Sequence, residues 1–186
     1  NSAGEGGGLI LRSYGSLSLF SATLEGNTAS VAGGGIYIWN HSTAELRKVD
    51  LIDNSAVDGG GILVDLDSTV GLESVTLVDN SAELSGGGVC VRPSAALTID
   101  AAEISGNIAE TGAGVYAEGE VSLSTVVLSG NDASVKGGGV AVHDAELSVQ
   151  ECTFSANEGL LGGGLSLEQA KATIERSTFA SNQAYH

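Results

Sequence analysis

A three-glycine turn recurs through this chain at a nearly constant interval, and that interval limits the folds open to it. The turns are Gly6-Gly7-Gly8, Gly33-Gly34-Gly35, Gly59-Gly60-Gly61, Gly86-Gly87-Gly88, Gly112-Ala113-Gly114, Gly137-Gly138-Gly139 and Gly162-Gly163-Gly164. Starts at 6, 33, 59, 86, 112, 137 and 162 lie 27, 26, 27, 26, 25 and 25 residues apart. An aliphatic-x-aliphatic triplet follows each turn. Each repeat later carries one asparagine: Asn27, Asn54, Asn80, Asn107, Asn131, Asn157 and Asn182. A fixed period of roughly 20–50 residues marks a stack of like units rather than one globular core.

Counting from each asparagine brings out the inward face. The residues 10, 8, 5 and 3 before Asn54 are Ala44, Leu46, Val49 and Leu51, and the residue 2 after it is Ala56. Before Asn131 the same positions hold Val121, Leu123, Val126 and Leu128, with Ala133 after it. Adding the two aliphatics behind each glycine turn gives seven inward positions per repeat, and only Gly159 and Ser177 depart from the apolar set. Steps of two are strand alternation. The step of three marks a bend that lets both flanking strands point inward.

The repeats therefore predict coils of 25–27 residues with three short strands each. Parallel strands about 4.8 Å apart would make seven coils into a rod roughly 30 Å long. Parallel crossovers are overwhelmingly right-handed. The expected fold is all-β: a right-handed parallel β-helix, a seven-coil solenoid in which residues 1–186 form a single domain. A lone coil buries nothing, because its inward face needs neighbours on both sides. Neither end shows a polar or helical cap, and the chain starts and stops near repeat boundaries. A segment of a larger protein is expected.

Composition narrows the partners. Hydrophobic residues make up 42% and aromatics only 4%, so the core must be built from Val, Leu, Ile and Ala. A net charge of −16, from 7 basic and 23 acidic residues, argues against nucleic acid and anionic membranes. It suits an acidic surface that keeps a rod soluble. No run approaches the roughly 18 apolar residues of a membrane span, so no direct membrane insertion is expected.

Local motifs read as architecture. No Lys-Ser/Thr follows a glycine triplet, so none is a phosphate loop. Repeated seven times, the triplet is a corner where a Cβ is excluded. The asparagines tolerate the left-handed conformation, and stacked once per coil their amides can bond one another. Asp53 and Asp79 stand in register, with Asp65 and Asp67 further off, as weak candidates for a cation or an acid–base pair. His41, His143 and His186 share no ligand spacing. No catalytic set, metal or cofactor is expected. Cys90 is placed outward and Cys152 inward, so a disulfide between them is excluded on geometry. Cys90 would then be a free thiol or a link to another segment.

The outward side of the first strand carries Ile10, Tyr37, Trp39, Leu63 and Tyr116, with Cys90 between the last two. A contiguous exposed apolar strip marks an interface, here for a flanking domain, a protein partner or a cell-surface glycan. End-to-end and lateral assembly are both open to such a rod.

With these residues laid out, the repeat resembles that of the chlamydial polymorphic outer membrane proteins. That family pairs G-G-A-[ILV] with a downstream F-x-x-N. Gly33-Gly34-Gly35-Ile36 and Gly59-Gly60-Gly61-Ile62 match the first with Gly for Ala, and Phe154-Ser155-Ala156-Asn157 and Phe179-Ala180-Ser181-Asn182 match the second. The resemblance implies an extracellular or cell-surface location and a role in adhesion. The leading expectation is a non-enzymatic structural or adhesive segment. The alternatives are a polysaccharide-acting enzyme of the pectate-lyase kind, which would want loops walling a cleft, and a glycan- or ice-binding solenoid. The ice-binding row would be Thr23, Asp50, Thr76, Glu103, Val127, Thr153 and Thr178, which charges interrupt.

Overall fold

A computed structural model describes residues 1–185. Each coil passes through three parallel sheets. The second coil shows the plan, with a strand at Ile36–Trp39 after the glycines, a long strand at Thr43–Ile52, and a strand at Ser55–Asp58 after the asparagine. We call the three sheets the glycine sheet, the bent sheet and the asparagine sheet. They hold seven, twelve and eight strand segments, stacked in chain order. The expected register holds, with Leu9 beside Ile36, Ile36 beside Ile62, and so on through Val89, Val115, Val140 and Leu165.

The division into strands differs from the expectation in one respect. The step-of-three bend does not separate two sheets. It creases a single sheet, so that from the third coil on the strand is split, as in Thr69–Glu73 and Thr76–Val78. The remaining sheet is formed by the segment after the asparagine. That strand has only one inward residue, such as Ala56 or Ala82, and so shows little alternation in the sequence.

The asparagine sheet also accounts for the uneven period. Ala3 and Glu5 partner Ala29 and Ala32, so the second of these strands carries an extra residue, a β-bulge. The same shift recurs between Ala56/Asp58 and Ala82/Ser85. Five and four residues alternate between the asparagine and the next glycine along the chain. Later coils are shorter because of the opposite turn, where Ala117 to Val121 replaces the wider step from Val64 to Val70.

Three positive-φ corners recur in every coil: the first glycine of each triplet, the residue six before each asparagine, and the residue just before it. A further turn adds others in most coils, such as Asn40, His41 and Leu66. Of the three recurring corners, only the first needs glycine. A Cβ on Gly59 would lie 2.5 Å from the Ile62 carbonyl oxygen. The other two rows accept Ser74 (φ 54°), Ala101 (52°), Asp53 (53°) and Asp79 (55°). Those corners keep their ladder bonds while turning, as when the Asp53 and Ser74 N–H groups donate to the carbonyls of Val78 and Asp100. The middle glycine is needed for stacking, since a Cβ on Gly60 would sit 2.5 Å from the Gly87 carbonyl oxygen. Ala113 carries a methyl at that position. The middle-residue rungs from Gly7, Gly34 and Gly60 to the next coil's first glycine have no counterpart, among the described residues, at Gly87, Ala113 or Gly138.

Every inward position of the five middle coils is buried. In the last coil the same positions are open, with Ile174 at 41% and Phe179 at 44% exposure, because they lack a neighbour on one side. Phe179 stacks on Phe154 at a ring separation of 4.4 Å. Ser177, the polar exception, is explained by its corner. Its hydroxyl accepts the Cys152 N–H at 3.1 Å and donates to the Glu175 carbonyl at 2.8 Å. Cys152 Sγ does the same one coil earlier for Val126 N–H and the Gln150 carbonyl.

The asparagines form a continuous buried ladder. Asn107 Oδ1 accepts both the backbone N–H and the Nδ2–H of Asn80, at 3.0 and 3.1 Å. Its own Nδ2 donates to Asn131 Oδ1 and to the Leu77 carbonyl, both at 2.9 Å. The pattern runs from Asn1 to Asn182. A buried amide with every group paired stabilises, whereas each orphan left by its removal costs about 1–3 kcal/mol. Asn107→Ala strands the Asn80 N–H and the Leu77 carbonyl, so it should lower unfolding free energy in urea by about 2–4 kcal/mol. Asn182→Ala, in the open coil, should cost less than half as much. Gly159 stands where other coils have alanine, and a Cβ there meets nothing closer than 3.4 Å. Gly159→Ala should therefore stabilise by about 0.4–1 kcal/mol in the same measurement.

Candidate functional site

The outward residues of the glycine sheet fall in two rows. Ile10, Tyr37, Leu63, Cys90, Tyr116, Ala141 and Ser166 are in register in one, and the second contains Trp39, Asp65, Arg92, Glu118, His143 and Glu168. The expected exposed strip is corrected here. Tyr37 is 7% exposed, Leu63 3% and Cys90 0%, while Ile10, Trp39 and Tyr116 are half-buried against them. The cause is the glycine corner, which folds the end of the asparagine sheet against this face. Ala32 packs into the cluster, and a Cβ on Gly33 would be only 2.7 Å from that of Tyr37. The strip is thus a second, smaller core on the outside of the coil. Cys90 is correspondingly a buried thiol, and Cys90 and Cys152 are both free.

Polar groups rim this core. Arg92 donates to Asp58 at 2.7 Å and to Glu118 at 3.3 Å, bridging three coils. The Tyr37 hydroxyl donates to Asp65 at 3.4 Å. Further along, Lys136 pairs with Glu168, which also lies 3.6 Å from His143 Nδ1. Burial, and then the Asp65 carboxylate, push the Tyr37 phenol up to about 12. Burial, and then Glu118, raise Tyr116 as well. Burial also raises the Cys90 thiol far above its ordinary value. At neutral pH the corner therefore presents a protonated thiol, two protonated phenols and carboxylates held by an arginine. None of these is an activated nucleophile.

The other sequence candidates are dispersed. Asp53 and Asp79 occupy the left-handed corner before an asparagine and are exposed. Asp79 Oδ1 fills the space where a side chain at Gly106 would stand. Their type suits the corner conformation, which aspartate tolerates. Asp65 accepts the Leu66 N–H at 2.8 Å, and Asp67 lies 3.8 Å from His41. His186 lies outside the described residues. Among the described residues no three His, Cys, Asp or Glu side chains are grouped to hold a metal ion. The row from Thr23 to Thr178 is in register, and Asp50, Glu103 and Val127 interrupt it. A recess of about 520 Å³ is the open mouth of the first coil, lined by Leu9, Leu19, Leu24 and Asn27, not a cleft on the side of the rod.

Three features escaped the sequence reading. Asn1 is an eighth ladder member, donating to Asn27 Oδ1 at 2.9 Å; its spacing from Asn27 was the available signal. Ser42 and Ser68 are buried at a turn, with Ser42 donating to the Trp39 carbonyl at 2.7 Å. They stand one repeat, 26 residues, apart, and that spacing was the available signal. The bridging role of Arg92 depends on the corner angle, which has no sequence signal.

Comparison with protein families matches residues 60–186 to the right handed beta helix region. Residues 21–38 match the Chlamydia polymorphic membrane protein repeat, a stretch that holds Leu24, Asn27 and Gly33-Gly34-Gly35-Ile36. No curated protein and no solved structure matches the chain.

The corner makes a pH prediction. A phenol that ionises near 10 when unfolded and near 12 when folded makes the native state bind the extra proton in that window. Stability should be complete below pH 10 and fall as pH rises toward 12. Tyr37→Phe should flatten that fall in thermal melts recorded across the range.

Proposed function

We infer the function of this chain from one premise: it belongs to the right-handed beta helix family. The reading is a non-enzymatic structural segment of a large extracellular or cell-surface protein. The observation that carries it is the closure of every coil on its neighbours, with an amide ladder running through the full stack and turns too short to wall a cleft. The match of residues 21–38 to a membrane-protein repeat supports a surface setting. A rod of this kind holds flanking parts of a protein at a fixed distance, and each coil adds about 4.8 Å to that distance. Adhesion to a protein partner or a cell-surface glycan is compatible with this role. It would use the outer faces of the sheets, since Tyr37 and Leu63 are engaged in packing.

A polysaccharide-acting enzyme is the second reading, favoured by one observation. Asp58, Arg92, Glu118 and Tyr116 form a polar line along the rod axis at the corner. A panel of acidic and neutral polysaccharides, assayed with and without Ca²⁺, separates the two. The expected result is no turnover on any member. Turnover abolished by Asp58→Asn or Glu118→Gln, in variants that melt normally, would replace the structural reading with the enzymatic one.

A further inference from the structure

The outer face of the asparagine sheet combines exposed aliphatic side chains with carboxylates that no cation balances. One row, in register from coil to coil, runs Thr28, Ser55, Ser81, Ile108, Asp132 and Glu158. Ile108 is 54% exposed, Leu84 on the neighbouring strand is 48% exposed, and Val31, three strands away in the same sheet, is 53% exposed. Glu83, Glu110 and Asp132 are exposed beside them. Among the described residues, none of Glu83, Glu110, Asp132 and Glu158 forms an ion pair. Glu158 accepts only the Tyr185 hydroxyl, at 2.7 Å. Lys136 belongs to the same sheet but is turned to the corner and pairs with Glu168.

The bent sheet differs in carrying cations on its outer side. Arg47 pairs with Glu73, Lys171 with Glu146 and Arg176 with Glu151, although Asp50, Asp100 and Glu103 of the same sheet form no ion pair among the described residues. A carboxylate with its own cation offers little to a partner, because binding must first break that pair. The unbalanced carboxylates of the asparagine sheet are free to take an incoming cation. Exposed aliphatics next to them supply the apolar contact that charge pairs lack.

We propose that this face docks a cationic amphipathic protein segment. Its aliphatic side chains lie on Leu84 and Ile108, and its lysine or arginine heads meet Glu83, Glu110 and Asp132. Charge complementarity selects this occupant over a second copy of the chain, since two such faces would oppose carboxylate to carboxylate. The proposal goes beyond the structural reading, which needs no occupant here.

The test measures fluorescence anisotropy of a labelled synthetic Leu/Lys amphipathic helical peptide, titrated with the whole chain at about 0.15 M salt, where surface charges are screened beyond roughly 8 Å. Binding should weaken about 5-fold or more, near 1 kcal/mol, in Leu84→Ser/Ile108→Ser and also in Glu110→Gln/Asp132→Asn. The control Asp100→Asn/Glu120→Gln removes the same charge from the bent sheet and should change binding less than about 2-fold. All six positions are exposed, and melting curves check that each variant remains folded. Three binding results would each overturn the proposal: equal weakening by the control pair, unchanged binding in the serine variant, or no binding by the parent chain. Sedimentation showing a lateral dimer that Ile108→Ser dissolves would overturn it in favour of a second copy.

Discussion

The backbone of each coil can be satisfied only by the coils on either side of it. Strand N–H and carbonyl groups point along the rod, not across it, so their partners lie a full coil away. An unpaired buried backbone group costs as much as a lost hydrogen bond, so each coil must keep the register of the last. Everything else follows from that demand. Aliphatic side chains stack on aliphatic side chains, glycine on glycine and asparagine on asparagine, because the ladder allows no other alignment. The corners obey it as well. The recurring left-handed corners strain the chain locally, and they persist because their N–H groups still find carbonyls on the next coil.

Ladder and core answer the same problem with different chemistry. Inward aliphatics satisfy the removal of apolar surface from water. The asparagine amide satisfies a turn that would otherwise bury an unpaired N–H and an unpaired carbonyl. Asn107 gives both its amide hydrogens and takes two from Asn80, so the turn can be as dry as the core. Ser177 and Cys152 do a smaller version of this at the crease of the bent sheet. The two exceptions to the apolar pattern thus have unrelated causes. Ser177 meets a backbone demand, whereas Gly159 sits where a methyl would fit.

The inward face was legible in the sequence because it has a clean period and an anchor in every repeat. Leu46, Leu72, Ile99 and Leu123 could be aligned from their asparagines alone, and each is buried. The outward face was legible only in direction. Alternation places Tyr37 and Leu63 outside the coil, but whether outside means exposed depends on the angle at the glycine corner, which no pattern of residues encodes. Asp53 and Asp79 show the converse difficulty. Being in register suggested shared chemistry, yet what they share is a backbone conformation. The asparagine sheet was missed as a strand because a single inward alanine leaves no alternation to detect.

The amide ladder has a direction. In every rung the hydrogens pass from the lower-numbered asparagine to the oxygen of the next, and from Asn54 onward the second Nδ2 hydrogen reaches back to a carbonyl of the preceding coil. The side-chain dipoles therefore all lie the same way along the rod. A coil presented upside down would bring oxygen to oxygen and amine to amine, although its aliphatic face would pack nearly as well. Apolar burial alone does not distinguish up from down. The asparagines give the stack its polarity and allow it to be extended in one sense only.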